Sequence, residues 1–373
     1  MIDVNELVEY LKEKQIDFFC GVPDSQLSSF CDFVEENCEN IIAANEGNAV
    51  GIASGYHLTT NNIPVVYLQN SGLGNIVNPV TSLTHPLVYS IPIIYVIGWR
   101  GQPGIHDEPQ HKKQGAITLD LLELMDIEYV VINKESTFDE LKDAFENQFM
   151  NKLNSGNSVA IVVSKGAFED YKITKSNDNT LTRENAIQIV TDFLDSDDMV
   201  VSTTGKSSRE LFEYREANNQ GHGNDFLTVG SMGHSSSIAL GIALSNPNKR
   251  IFCFDGDGAI LMHMGSLALI GSKKPKNFFH IMFNNSAHES VGGLPTVMSD
   301  MNITDVVKSC GYENVFTASN SDELNQILPT FIQSTGPVFL NIDVDISSRK
   351  DLGRPTTTPI ENKNDFMKKI QGE

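Results

Sequence analysis

Residues 250–259, RIFCFDGDGA, and residues 277–287, NFFHIMFNNSA, each join an apolar run to a group of Asp, Asn and Gly residues. Short apolar runs that end in such residues are typical of buried strands in a parallel sheet, where ligands bind just beyond the carboxyl ends. Asp257 and Asn285 lie 28 positions apart, which leaves room for one helix and one strand between them. We therefore expect both side chains at the same edge of one sheet, on neighbouring strands.

The residue types at this edge suit a metal ion and an anion. A carboxylate, an amide oxygen and a nearby main-chain carbonyl are hard oxygen donors of the kind that Mg²⁺ prefers. Gly256 and Gly258 allow close backbone approach, and the helix that follows offers its N-terminal N–H groups to an anion such as a diphosphate. Taken singly, Asp-Gly-Asp-Gly and Asn-Asn are more often turns. Their joint occurrence one βαβ unit apart favours a binding site.

Apolar strand-like runs alternate with helix-like stretches along nearly the whole chain. Strands are predicted at 16–22, 41–45, 64–69, 91–98, 128–132 and 158–164, and again at 199–204, 225–230, 250–256, 277–284, 313–318 and 337–345. Helices are predicted at 3–14, 138–153, 183–194, 208–216, 235–245, 260–272, 303–310 and 321–334. This alternation predicts an α/β protein with two doubly wound parallel-sheet domains.

The expected domains are 1–170 and 181–373. They are joined by the polar stretch 171–180, YKITKSNDNT, which has no periodicity and is interpreted as a linker. The stretch after Asp345 is rich in Gly, Pro and Thr and is expected to be an irregular tail.

Composition excludes several classes of protein. The chain has 373 residues, of which 40% are hydrophobic and 20% charged, and its formal net charge is −21. Nucleic-acid binding depends on basic patches, so no nucleic-acid partner is expected. No apolar run approaches the roughly 18–20 residues that span a bilayer, and the N-terminus does not resemble a signal peptide. The five cysteines are irregularly spaced, as expected for reduced thiols, and a cytoplasmic location is the simplest interpretation.

The G-D-G…N-N pair resembles the signature of thiamine diphosphate enzymes, and the chain as a whole resembles the phosphonopyruvate decarboxylases, with the sulfopyruvate decarboxylases as near relatives. The resemblance implies that thiamine diphosphate and Mg²⁺ are the cofactors, that domain 1–170 binds the aminopyrimidine, and that domain 181–373 binds the diphosphate and the metal. It implies Asp257, Asn285 and the carbonyl of Ala287 as Mg²⁺ ligands, with His288 and Glu289 close to the cofactor. Ala259 departs from the wider family, in which many members have Ser at this position.

Glu46, in Asn45-Glu46-Gly47, is the strongest catalytic candidate. A glutamate at a helix start is ordinarily just a favourable first-turn charge. The resemblance implies instead that Glu46 hydrogen-bonds the aminopyrimidine and promotes its proton exchange, which a buried carboxylate of raised pKa can do. By the same resemblance, Met232 supports the bent cofactor. The other implied cofactor contacts are Gly205, Ser207, Gly230, Gly233, His234, Gly258 and Ala259.

Three segments after strands are candidates for the substrate end of the site. The first contains Asp24 and Ser25, and the second begins at Asn70. The third is His106-Asp107-Glu108-Pro109-Gln110-His111-Lys112-Lys113-Gln114, which is expected to be a polar loop. The third segment resembles a family segment that lines the active site. The resemblance implies Asp24, Asp107 and His111 as catalytic residues, with Asp107 and His111 as proton donors. The candidate contacts to the substrate and its anionic tail, which the sequence does not rank, are Ser25, Asn70, Lys112, Lys113, Arg209 and Arg354.

The implied reaction is the non-oxidative decarboxylation of a small anionic 2-oxo acid, 3-phosphonopyruvate, to phosphonoacetaldehyde and CO₂, a step of the 2-aminoethylphosphonate route. Sulfopyruvate or another 2-oxo acid is an alternative substrate, and a carboligase using the same cofactor is an alternative activity. A binding module that only retains the fold is disfavoured by the joint presence of Glu46, Asp257 and Asn285. A nicotinamide enzyme is disfavoured because no G-x-G-x-x-G opens a first βα unit. The family arrangement also implies a homo-oligomer with active sites between subunits.

Overall fold

The structure, a computed structural model, describes residues 1–372 and divides into two compact units, Met1–Thr174 and a second that begins at Lys175. The division falls inside the stretch 171–180 that the sequence predicts as a linker. Each unit contains a six-stranded sheet in which all the paired strands are parallel. The α/β class with two doubly wound parallel sheets, predicted from the alternation of apolar runs, is confirmed.

The first unit has the strand order β2-β1-β3-β4-β6-β5. Its strands are β1 Phe18–Gly21, β2 Glu39–Ile42, β3 Val65–Gln69, β4 Ile94–Gly98, β5 Glu128–Ile132 and β6 Val159–Val163. Its α-helices are α1 Val4–Glu13, α2 Ser28–Asn37, α3 Glu46–Thr60, α4 Leu73–Pro79, α5 Pro109–Leu124, α6 Phe138–Ala144 and α7 Met150–Asn154. A 3₁₀ turn, Asn70–Gly72, precedes α4, and π-helical turns follow α4 and α6 at Val80–Thr84 and Phe145–Phe149.

The second unit has the strand order β13-β14-β10-β9-β7-β8. Its strands are β7 Met199–Ser202, β8 Asp225–Leu227, β9 Ile251–Gly256, β10 Phe278–Asn284, β11 Ala287–His288, β12 Leu294–Pro295, β13 Asn314–Ala318 and β14 Val338–Asp343. Its α-helices are α8 Arg183–Asp192, α9 Lys206–Ala217, α10 Ser235–Ser245, α11 Asp257–Met262, α12 Gly265–Lys273, α13 Ile303–Ser309, α14 Ser321–Gln333 and α15 Pro359–Gln371. The short strands β11 and β12 form a separate antiparallel pair.

Burial explains why the central strands are apolar throughout. All five residues of β4 are buried, and so are the first five of β9, because helices pack on both faces of each sheet. Each unit has its own apolar core, the first around Val66, Leu68 and Ile97 and the second around Phe252 and Phe254. The polar residues that follow the strands therefore emerge at one edge of each sheet, where the candidate sites lie.

Two sequence predictions of local structure were wrong. The segment 106–114 is not one loop, because α5 begins at Pro109, whose fixed φ suits the first helical position. The tail after Asp345 is irregular only up to Thr358, which caps α15 with a reciprocal hydrogen bond to Glu361. The Asn362 side chain of α15 bonds the backbone of β8 and so covers this edge strand.

Two predicted helices are interrupted. The predicted helix 138–153 contains the π-helical turn Phe145–Phe149, and the predicted helix 260–272 is two helices, α11 and α12, separated at His263 and Met264. Within residues 1–372, no helix has the length and apolar composition needed to cross a membrane.

Candidate active site

Asp257 is a buried carboxylate with no ion pair among the described residues. It is the first residue of α11, directly after β9, and its exposed fraction is 4%. The Thr296 hydroxyl donates a hydrogen bond of 2.6 Å to Asp257 Oδ2. Burial raises the pKa of Asp257 to about 6, although the Thr296 hydrogen bond opposes the shift. The site therefore contains a negative charge that the described residues do not balance, which fits a cation ligand.

Asn285 lies at the same edge as Asp257. Strands β9 and β10 are neighbours, as the spacing of the two motifs predicts, and Gly256 pairs with Phe283. Asn285 is buried, and its Oδ1 accepts a hydrogen bond of 3.0 Å from the Ala287 amide. This turn directs the chain from β10 into β11, which contains Ala287 and His288. An amide oxygen and main-chain carbonyls thus follow β10. A carboxylate follows the neighbouring strand β9 at the same edge of the sheet.

Gly258, Met232 and His288 meet beside this edge. A methyl group at Gly258 would lie 3.1 Å from His288 Cε1 and 3.3 Å from Met232 Cε, so the absence of a side chain lets the three segments approach. Burial lowers the pKa of His288 to about 4, so its imidazole is neutral at pH 7. Gly258 and Ala259 both lie in the first turn of α11, whose N–H groups are suited to an anion.

The loop before α10 has an unusual backbone. Ser231 and Gly233 both have positive φ, 56° and 84°. A Cβ on Gly233 would lie 2.6 Å from the His263 ring and 3.0 Å from the Ala259 carbonyl oxygen, so this loop lies against α11. His234 is exposed, and its ring centroid is 4.3 Å from that of His263. Gly230, which precedes this backbone reversal, is half-buried.

Gly205 precedes α9 with φ +98°, and Ser207 in the first turn is buried. The cation of this turn, Lys206, is not available to a diphosphate. Its Nζ donates 2.6 Å hydrogen bonds to Glu289 Oε1 and to Ser348 Oγ. Glu289, expected to be near the cofactor, also pairs with Arg183, which lowers its pKa against the effect of burial. The charges of Lys206 and Glu289 therefore neutralise each other.

In the first unit, Glu46 begins α3 and is 4% exposed. Asn75 Nδ2 donates a hydrogen bond of 2.6 Å to Glu46 Oε2. A Cβ on Gly72 would lie 2.3 Å from Glu46 Oε1, so only glycine leaves room for the carboxylate in this position. The sequence did not assign these two roles to Gly72 and Asn75, although both lie in the polar segment after β3.

Asp24 is fully buried. Gln69 Nε2 donates a 2.5 Å hydrogen bond to Asp24 Oδ1, and the Gln26 amide donates a 3.0 Å bond to Oδ2. A Cβ on Gly98 would lie 2.1 Å from Oδ2. Burial raises the pKa of Asp24, and these hydrogen bonds offset only part of the rise.

Asp107 is saturated with hydrogen-bond donors. Arg100 donates from Nε and Nη2, at 2.8 and 2.7 Å, and His111 Nδ1 lies 2.8 Å from Oδ1. The amides of Gly101 and Glu108 donate as well. Burial alone would raise the pKa of Asp107, but these donors hold it well below its usual range. Asp107 is therefore ionised throughout the neutral range and is unsuited to donate a proton. The Nε2 atom of His111 has no hydrogen-bond partner among the described residues.

Asn70 is also fully engaged. Its Nδ2 donates to the Arg100 carbonyl at 2.8 Å and to Thr118 Oγ1 at 2.9 Å, and its Oδ1 accepts from the Arg100 amide at 3.1 Å. Gln114 Nε2 donates to the Asn70 carbonyl. Asn70 thus fixes the backbone after β4, and its side chain is not free for a substrate.

The candidate cations have different environments. Lys112 and Lys113 are exposed on α5, and Arg354 is exposed in the tail. Arg209 donates to the carbonyls of Leu352 and Gly353. Arg100 was missed by the sequence analysis. Its position directly after the apolar strand β4 is the sequence signal that marks it.

The N-terminal TPP binding domain of thiamine pyrophosphate enzymes matches residues 4–124, and the C-terminal TPP binding domain of these enzymes matches residues 203–342. A phosphonopyruvate decarboxylase of Streptomyces viridochromogenes is 34% identical, over 97% of this chain and 93% of that protein. A phosphonopyruvate decarboxylase of Streptomyces hygroscopicus is 31% identical, over 97% of this chain and 92% of that protein. A sulfopyruvate decarboxylase of Methanosarcina acetivorans is 27% identical, over 85% of this chain and 84% of that protein.

Proposed function

We propose that this chain, which belongs to the thiamine pyrophosphate enzyme family, catalyses the non-oxidative decarboxylation of 3-phosphonopyruvate to phosphonoacetaldehyde and CO₂. The observation that carries the proposal is the nearly full-length similarity, 34% over 97% of the chain, to a phosphonopyruvate decarboxylase. The more distant sulfopyruvate decarboxylase, at 27% over 85%, supports sulfopyruvate as the second candidate substrate.

The second unit supplies a site that fits Mg²⁺ and a diphosphate. A buried carboxylate without an ion pair, Asp257, lies where a divalent cation would balance it, and we assign Asp257, Asn285 and the Ala287 carbonyl as its ligands. The residues proposed to contact the cofactor in this unit are Gly205, Ser207, Gly230, Met232, Gly233, His234, Gly258, Ala259 and His288. Since Lys206 is engaged by Glu289, the diphosphate charge would be balanced mainly by the metal and by helix N-termini.

Bound thiamine diphosphate supplies a carbon nucleophile that adds to the keto group and accepts the electron pair left by CO₂. Glu46 would hold the aminopyrimidine and exchange a proton with it. Its burial, and the single side-chain donor Asn75 on Oε2, leave Oε1 for this contact. Gly72 is required because any side chain there would displace the carboxylate.

We assign proton transfer at the substrate end of the site to His111. Asp107 accepts from His111 Nδ1, which orients the ring and leaves Nε2 for proton transfer to the product carbon. Asp107 itself acts as a positioning residue for His111 and Arg100 and not as a proton donor, because its pKa is lowered. Asp24 and Asn70 likewise position Gln69 and Arg100.

The proposed assembly is a homo-oligomer with active sites between subunits, located in the cytoplasm. The cysteines are all free, which suits a reducing compartment. Light scattering on the purified protein measures the oligomeric state directly.

The test of function is to incubate the purified protein with thiamine diphosphate, Mg²⁺ and 3-phosphonopyruvate and to measure CO₂ and phosphonoacetaldehyde. We expect both products in equal amounts, and neither when the cofactor is omitted. Sulfopyruvate and pyruvate are assayed in parallel, and a higher kcat/KM for either one reassigns the substrate. An acyloin product would indicate a carboligase. Absence of any turnover by folded, cofactor-loaded protein contradicts the proposal.

A further inference from the structure

We propose that Arg100 binds the anionic tail group of the substrate, a tetrahedral oxyanion on carbon 3 of the 2-oxo acid, and so determines substrate specificity. This inference rests on the proposed function, which requires a cation at the substrate end of the site. Arg100 follows β4 at the carboxyl edge of the first sheet, the same edge from which Ser25 emerges after β1.

The guanidinium of Arg100 is held in place without using all its donors. Asp107 binds Nε and Nη2, and Ser25 Oγ accepts from Nη1 at 3.1 Å. A guanidinium has five N–H donors, so within residues 1–372 one N–H remains on each terminal nitrogen. Two adjacent N–H groups of a fixed guanidinium match two oxygens of a phosphonate or sulfonate.

The backbone of Arg100 is equally constrained. The Asn70 side chain bonds both its amide and its carbonyl. Gly101 and Gly115 pack so closely that a Cβ on Gly115 would lie 1.9 Å from the Gly101 carbonyl oxygen. The neighbouring Trp99 donates to the Gly115 carbonyl at 2.9 Å. A binding group that is fixed before the ligand arrives loses little conformational entropy on binding.

Arg100 pairs with one carboxylate, Asp107, whereas Arg183 pairs with two and is less exposed. Hydrogen bonds to Asp107 raise the pKa of Arg100, so it is a permanent cation, and its side chain is 20% exposed. Arg183, by contrast, is 8% exposed, and its partners are Glu210 and Glu289. Lys112 is exposed on α5, where screening weakens a single contact.

An alternative is that Arg100 only locks the turn between β4 and α5 through Asp107. The two roles differ in their dependence on the ligand's tail. A structural lock affects every ligand of the site equally, whereas a tail-binding residue affects only ligands that carry the oxyanion.

The test uses the cofactor-loaded enzyme with Mg²⁺ and titration calorimetry with substrate analogues that lack the keto group. These are 3-phosphonopropionate, 3-sulfopropionate and butyrate, in which a methyl group replaces the oxyanion. For Arg100→Gln we expect roughly 100-fold weaker binding of the oxyanion ligand that the wild type prefers, and unchanged binding of butyrate. Arg100→Lys should recover part of the loss, and Lys134→Gln, at an exposed position, should match the wild type.

Turnover provides a second readout. The ratio of kcat/KM for 3-phosphonopyruvate to that for 2-oxobutyrate should fall in Arg100→Gln by a similar factor. If Arg100→Gln does not fold, Ser25→Ala gives the same pattern with a smaller, few-fold loss confined to the oxyanion ligands.

The inference is overturned if the variants lose affinity for butyrate and the oxyanions in equal measure, or retain full affinity for both. Failure of the decarboxylase function has a different signature. In that case the wild type binds 3-phosphonopropionate or 3-sulfopropionate in an Arg100-dependent way but does not release CO₂.

Discussion

The carboxyl edge of the second sheet carries a buried aspartate, Asp257, and that of the first carries a half-buried one, Asp107, and the two have opposite surroundings. Asp257 in the second unit has one side-chain donor, Thr296, and burial raises its pKa to about 6. Asp107 in the first unit accepts from Arg100, His111 and two amides, and its pKa lies well below the usual range. A carboxylate without a cation is prepared for a ligand that brings one. A carboxylate already saturated with donors can only hold its neighbours in place.

Glu46 has surroundings like those of Asp257. It is buried at a helix start, and the neutral amide of Asn75 donates a hydrogen bond to its side chain. Asp257 and Glu46, the two residues expected to bind cofactor groups, thus accept hydrogen bonds from neutral side chains. Asp107 instead accepts from the charged side chain of Arg100. This contrast argues against Asp107 as a proton donor, and it yields four predictions.

The largest effect is expected for Asp257→Asn. The amide cannot balance a divalent cation, so we expect no measurable decarboxylation and no stabilisation by cofactor with Mg²⁺. At about 100 times the dissociation constant, the wild type gains about 2.7 kcal/mol from binding, and the variant should gain none. Without ligands the variant should be at least as stable as the wild type, because burial of the charge opposes folding. Thermal unfolding with and without ligands measures both, and normal ligand stabilisation of the variant would contradict the assignment.

Glu46→Gln should reduce kcat by roughly 10²- to 10⁴-fold, the range for loss of a positioned proton-transfer group, and leave cofactor affinity nearly unchanged. Gly72→Ala should act in the same direction by displacing the carboxylate. Gly55→Ala is the matched control, because a methyl group there meets nothing within 4 Å. Steady-state kinetics with cofactor titration separates these effects. Full activity of Glu46→Gln would remove this residue from the mechanism.

Asp107→Asn should behave in the opposite way to Asp257→Asn and destabilise the protein without ligands. Removing one partner of this part-buried ion pair should lower the free energy of unfolding by about 2–4 kcal/mol. Because the folded pKa is lowered, this contribution is fully present above the unfolded pKa of about 3.9 and is lost as the pH falls toward the folded pKa.

Urea unfolding at a series of pH values measures this difference. The gap between wild type and Asp107→Asn should be constant from about pH 5 to 8 and should narrow below about pH 4. A variant as stable as the wild type at pH 7 would mean that the charged donors contribute nothing net.

The smallest effect is expected for Thr296→Val, which removes the hydroxyl that orients Asp257. Loss of a hydrogen bond to a metal ligand typically weakens metal affinity by about 10- to 100-fold. Thr296→Ser retains the hydroxyl and should bind Mg²⁺ nearly as the wild type does. Activity measured against Mg²⁺ concentration gives the two midpoints, and equal midpoints for Val and Ser would show that the hydroxyl has no such role.

Much of the fold could be predicted because its signals are local. The bounds of β5 and α10 match the predicted segments, because the spacing of apolar residues in each segment is typical of a single kind of element. Several predicted strands extend a few residues too far, as at β8, because apolar side chains continue into the loop after the last ladder pair. The tail helix α15 was missed because its Pro-rich start, which caps the helix, looks like a loop in sequence.

The donor networks could not be predicted, because they join residues that are far apart in the chain. Thr296 is 39 positions from Asp257, Asn75 is 29 from Glu46, and Arg100 is 75 from Ser25. Periodicity shows that each residue follows a strand but not which strands are neighbours. The strand order β2-β1-β3-β4 decides that Ser25, Gln69 and Arg100 emerge side by side.

The sequence by itself determined the two parallel sheets and the motifs at their carboxyl ends, because the alternation of apolar runs and the spacing of Asp257 and Asn285 are properties of a single strand–helix–strand unit. Only the tertiary structure decided which carboxylates have a cation beside them and which do not. Charge balance and burial depend on the side chains that distant loops bring together, and these set the pKa that separates Asp107 from Asp257.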